Sequence, residues 1–136
     1  MIVVDTNVLI HYWIPGALTP AALALWRRDP EWVAPPLWRS EYRNVLATLC
    51  RAHRLPLAAA IEAARQAEDQ MSRAETEVAS DSILALAFES GRSAYDCEFV
   101  ALAKELGVPL ITCDRQLVRT FPAVARYLEL AASGLE

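Results

Sequence analysis

The sequence is short of several residue types, and each shortage narrows what it can be. Of 136 residues only four are glycine, all isolated, and the eight prolines are scattered; no linker, repeat or low-complexity tract divides the chain. A single domain over residues 1–136 is expected, large enough to bury about two thirds of its unfolded surface. The three cysteines (Cys50, Cys97, Cys113) form no CxxC pair and no even framework, which favours a reducing, cytoplasmic setting over a disulfide scaffold. The two histidines, His11 and His53, lack metal-ligand spacing. Apolar runs break off well before about 18 residues, so no membrane-spanning helix is expected. The opening Met1–Asp5 carries no basic leader of the secretory kind. Lysine is nearly absent: the 13 basic residues are 12 arginines and Lys104. Against 17 acids they leave a formal charge of −4, a balance that by itself speaks against a nucleic-acid partner. Arginine, however, is the better bidentate binder of phosphate.

What the chain has is apolar substance, 54% of residues against 22% charged, the composition of a folded domain. Strand and helix signals alternate along it. Ile2–Val4 reads as a buried strand ending in Asp5; Thr6 or Asn7 caps a helix over Val8–Trp13, stopped by Pro15-Gly16. Thr19-Pro20 opens a short helix to Arg28. Trp32–Ala34 reads as a second strand closed by Pro35-Pro36. Trp38–Arg54 is a strongly amphipathic helix ended by Pro56, and Leu57 to about Met71 is an Ala-rich one. Glu77–Ala79 reads as a brief strand. Ser80 caps a helix to Ser90, and Ser93 caps Ala94–Leu106, with Gly91 and Gly107 as stops. Val108–Cys113 is a further buried strand ending in Asp114, and the segment from there through Leu130 is ambiguous. Strands without polar alternation, separated by helices, predict an α/β fold: a three-layer α/β/α domain with a short parallel central sheet. Ligands in such folds bind beyond the carboxyl ends of the strands, where Asp5 and Asp114 fall.

Two more acids lie where a core face begins. Glu41 flanks the apolar stripe of Trp38, Tyr42, Val45, Leu46 and Leu49, and Asp96 heads the stripe of Phe99, Val100, Ala103 and Leu106. Glu98 and Glu105 have ordinary solvent-facing spacing. Singly, each acid has a structural reading: Asp5 as a helix cap, Asp96 as a capping-box residue, Glu41 as a partner of Arg39 or Arg43. Together, four converging carboxylates repel one another, and their pKa values rise unless something neutralises them. A hard divalent cation, Mg²⁺ or Mn²⁺, is the simplest answer, because it prefers oxygen ligands and is held by a few carboxylates plus phosphates. Cys97 beside Asp96 has no histidine placed to activate it.

On these residues the sequence resembles the PIN-domain nucleases and, within them, the VapC-type toxins of toxin–antitoxin pairs. The carrying segments are Val3–Ile10, Pro35–Leu46, Ser93–Glu98 leading into Val100–Ala103, and Leu110–Asp114. Asp5, Glu41, Asp96 and Asp114 match the acidic quartet of the family, Thr112 matches a hydroxyl that helps arrange the site, and Thr6 and Asn7 match supporting positions. The chain departs from the family with Cys97 for a usual alanine, Leu117 for a common aromatic and Gln116 where a further acid often follows. The resemblance implies metal-dependent hydrolysis of RNA phosphodiesters. Asp5 and Asp96 would anchor one Mg²⁺ or Mn²⁺, Glu41 would bind directly or through water, and Asp114 would bind or position a second-metal side. It further implies a small antitoxin covering the cleft, often with an arginine, and a homodimer. Arg115, Arg39 and Arg43 are candidate phosphate contacts, against surface ion pairing as the plainer role. The four tryptophans fill the core or a dimer face. A housekeeping RNA-processing enzyme and a non-catalytic RNA-binding module remain as alternatives within the fold. A phospho-aspartate enzyme fits worse, since Asn7 replaces its second aspartate and Lys104 is mid-helix. Setting the quartet aside brings the formal charge from −4 to zero.

Overall fold

Short, mostly apolar runs form the centre of the molecule. In a computed structural model of the chain, which describes residues 1–134, they are β1 (Ile2–Val4), β2 (Trp32–Val33), β3 (Leu110–Thr112) and β4 (Ala125–Tyr127). All pair in parallel in the order β2-β1-β3-β4. Every residue of β1 and β3 is buried, so both faces of the sheet are covered, the three-layer α/β/α arrangement. From β1 the chain winds outward to β2, then returns to the other side for β3 and β4. The carboxyl ends of β1 and β3 therefore flank the point where the winding reverses, the place where open parallel sheets leave a crevice.

The helices are α1 (Thr6–Trp13), α2 (Thr19–Arg28), α3 (Leu37–Arg51), α4 (Leu57–Met71), α5 (Ser80–Ser90), α6 (Ala94–Leu106), α7 (Arg115–Thr120) and α8 (Leu128–Ser133). Trp38 and Tyr42 of α3, Phe99 of α6 and Leu9 of α1 are among the largest fully buried side chains. The Tyr42 hydroxyl donates to the Ala63 carbonyl at 2.9 Å, joining α3 to α4 without leaving a polar atom unpaired. Trp32 and Trp38 are buried; Trp13 and Trp26 are partly so, in an aromatic cluster with Tyr12 and Trp32 in which Trp26 and Trp32 meet edge to face at 5.0 Å. No helix among the described residues is long and apolar enough to cross a membrane.

Several boundaries differ from the sequence reading, each for a local reason. Asp5, not Thr6 or Asn7, is the N-cap of α1: its carboxylate accepts from the Thr6 N–H, and the helix starts two residues early. Ser80 is the first residue of α5, capped by Ala79, rather than the cap. Helix α3 ends at Arg51 because His53 takes a left-handed φ of 56° and its N–H returns to the Cys50 carbonyl. Glu77–Ala79 is not a strand; the extended pairing falls instead at Glu75, which bridges Ala34. The ambiguous segment after Asp114 resolves into α7, β4 and α8.

Candidate active site

Asp5 follows the last residue of β1, and its N–H donates to the Ile111 carbonyl of β3 at 2.9 Å. One carboxylate oxygen accepts from the Thr6 N–H (2.8 Å), the other from the Thr112 hydroxyl (2.8 Å) and, at 3.4 Å, from the Asn7 amide. The buried Thr112 oxygen also accepts the Asp114 N–H at 3.0 Å, and Asn7 Oδ1 accepts the Cys113 N–H at 3.1 Å. Thr112 and Asn7 thereby fix the ends of β1 and β3 relative to each other. Glu41, the fifth residue of α3, accepts from the Thr6 hydroxyl at 2.7 Å. Asp96 lies in the first turn of α6, whose N-cap Ser93 accepts the Asp96 N–H at 3.1 Å. Asp114 caps α7, one oxygen accepting from the N–H groups of Gln116 (2.9 Å) and Leu117 (3.2 Å).

These four acids, from four different places in the chain, line one cleft of about 410 Å³ with Thr6, Asn7, Ile10, His11 and Val45. Burial pushes the Asp5 carboxyl up to about 6, and the charges of Glu41 and Asp96 add to the rise; the hydrogen bonds from Thr112 and Thr6 oppose it. Glu41 is raised by burial and by the charges of Asp96 and Glu98. Glu98 is therefore not the solvent-facing residue its spacing implied: it is half-buried, itself raised by that burial, and adds negative potential at Glu41. Burial lowers His11, favouring its neutral form.

The candidate arginines are not brought to this cleft. Arg39 binds Glu75 through two nitrogens (2.9 and 2.7 Å) and Glu68 at 2.8 Å. The exposed Arg43 has its nearest acid in Glu68, at 3.8 Å, so neither arginine partners Glu41. Arg115 lies over the Tyr127 ring, 4.5 Å from its centroid, in a separate depression beside Arg119 and Leu130. Sequence reasoning missed Arg92. One of its guanidinium nitrogens donates to Asp96 at 2.9 Å and to Asp114 at 3.0 Å, and the other terminal nitrogen reaches Gln116 at 3.2 Å. Its place four residues before Asp96 was a visible signal; its reach to Asp114, 22 residues on, was not.

The four carboxylates offer hard oxygen donors, and the raised Asp5 and Glu41 carboxyls are what a cation would relieve. Among the described residues no three His, Cys, Asp or Glu side chains form a ready cage. Any ion taken here would be held by one or two carboxylates with water and phosphate, a mode known for Mg²⁺. Thiol chemistry is disfavoured: burial raises Cys97 and pushes Cys113 up to about 12.

A protein of similar sequence is Ribonuclease VapC3 of Pyrobaculum aerophilum, 50% identical over 40 residues, which make up 29% of this chain and 30% of that relative. The aligned segment spans under a third of the relative's length. The solved structure of PAE2754 from Pyrobaculum aerophilum shares the fold, with a TM-score of 0.79 over 98% of this chain and 94% of that one, at 22% identity. Residues 2–121 match the PIN domain, a stretch that contains all four cleft acids and three of the four strands, and the chain belongs to that family.

Proposed function

We propose that the chain is a Mg²⁺- or Mn²⁺-dependent endoribonuclease and the toxin of a toxin–antitoxin pair. The observation that carries this reading is the meeting of Asp5, Glu41, Asp96 and Asp114 in one cleft at the reversal point of the sheet. Asp5 and Glu41 would hold the ion, with Asp96 completing its surroundings. Thr6, Asn7 and Thr112 fix the carboxylates through the hydrogen bonds already described, since ligands held rigid by an outer shell bind better. A bound ion supplies a water of lowered pKa and neutralises charge on the phosphoryl group. The pKa of Asp5, about 6, leaves it mostly ionised at pH 7 and so available to a cation.

The name of the VapC relative supports an antitoxin partner, which would cover the cleft. A second copy of the chain is the natural cover for α5, which has no buried residue and leaves Leu84 and Phe88 62% and 91% exposed. Induced expression in a bacterial host tests the toxin reading. Growth arrest is expected for the parent chain and normal growth for Asp5→Asn at equal protein level. Arrest by both alike, or by neither, would contradict it.

A further inference from the structure

Within the cleft the four carboxylates are not equivalent, and the difference is Arg92. One guanidinium nitrogen bridges Asp96 and Asp114, at 2.9 and 3.0 Å. The side chain is 20% exposed and held at both ends. Its backbone N–H donates to the Ser90 hydroxyl at 3.1 Å, and its other terminal nitrogen donates to the neutral Gln116 amide oxygen. A guanidinium does not give up its proton in a protein, so this charge is permanent. Asp114 is the more committed of the two acids: one oxygen accepts two α7 N–H groups and the other accepts Arg92. Asp96, which lines the same cleft as Asp5 and Glu41, takes Arg92 on one oxygen only, and no donor among the described residues reaches its other oxygen. On that side neither Asp5 nor Glu41 has an ion pair among the described residues; each is held by hydroxyl, amide or backbone donors alone.

We propose that Arg92 is the resident cation of the Asp96–Asp114 half of the cleft, so that the working site takes one divalent ion, on the Asp5–Glu41 side. This rests on the metal-dependent reading above. A second divalent ion at Asp114 would have to share a carboxylate that already accepts the fixed positive charge of Arg92 at 3.0 Å, so like charges would meet on one group. Arg92 is then a positioning residue: it sets how many ions the quartet accepts and holds Asp96 and Asp114 together against their mutual repulsion.

Titration calorimetry with Mn²⁺ on the intact chain reads this directly. One ion per chain is expected for the parent and for Arg92→Lys, and two for Arg92→Gln, with folding of each variant checked by circular dichroism. Two ions in the parent, or one in a folded Arg92→Gln, would overturn the proposal. Electron paramagnetic resonance of the Mn²⁺-loaded parent needs no variant: an isolated-ion spectrum is expected, and a spin-coupled pair would overturn it. No Mn²⁺ binding by parent or variants would instead defeat the metal-dependent reading itself, and the proposal with it.

Discussion

At the scale of single residues, the cleft is organised around Asp5. Its carboxyl is buried beside two other acids, so folding raises its pKa from the ordinary 3.8 to about 6. Between about pH 4 and 6 the folded, metal-free protein therefore binds more protons than the unfolded chain. Stability to unfolding then falls as pH rises through that window. Thermal melts of the metal-free protein should show a lower Tm at pH 7 than at pH 5, and saturating Mg²⁺ should raise the Tm more at pH 7 than at pH 5. A metal-free Tm that climbs from pH 5 to 7 would contradict the burial of Asp5 charge. Thr112 touches both Asp5 and the Asp114 N–H. Thr112→Val keeps the shape and removes the hydroxyl, and about a 10–100-fold loss of Mn²⁺ affinity is expected by calorimetry. Unchanged affinity would show that the hydroxyl does not order the site. The four acids were legible in the sequence because they end strands or head apolar helical stripes. Arg92 was legible only in its spacing from Asp96; its reach to Asp114, 22 residues on, leaves no trace in spacing. Arg39 misled for the converse reason: its sequence distance from Glu41 is short, but Glu68 and Glu75 lie closer in space.

At the scale of elements, the site depends on how α3 and α6 are seated against the rest. Trp38, three residues before Glu41, and Tyr42, the residue after it, anchor α3, both essentially buried. Tyr42→Phe removes the hydrogen bond to Ala63 and is expected to cost about 1 kcal/mol in chemical denaturation, with cleavage little changed. A cost near zero would mean that water or another donor already serves the Ala63 carbonyl. Leu9, fully buried on α1, should be more sensitive, with about 2–5 kcal/mol lost on Leu9→Ala. A loss under about 1 kcal/mol would contradict tight packing there. The elements that sequence periodicity placed best are the long ones with clear stops: α4 starts after Pro56 at Leu57, and α6 runs from the Ser93 cap to Gly107, whose φ of 68° suits glycine. The shortest ones escaped it. β4 is three residues with an arginine at its centre, and the Glu75 pairing is a single bridge, neither long enough to show a period.

At the scale of the whole molecule, the net charge of −4 no longer argues against a nucleic-acid partner. Four of the acids share one cleft, where Arg92 already offsets part of their charge. A divalent ion would convert what remains toward a phosphate-attracting surface. Sheet order does the assembling: because β1 and β3 are neighbours, residues 5 and 114, far apart in the chain, come to adjacent strand ends. The sequence could suggest a parallel sheet but not which strands are adjacent, since pairing order is decided by packing between distant segments.

The central claim is that this acidic cleft hydrolyses RNA with the help of a divalent ion. It is tested most directly by incubating the purified chain and its Asp5→Asn variant with RNA, in Mn²⁺ or in excess chelator. Cleavage by the parent in Mn²⁺ is expected, lost with chelator and reduced more than about 100-fold in the variant, beyond the effect typical of removing an outer-shell partner. Equal cleavage by parent and variant, or cleavage that survives the chelator, would contradict the account.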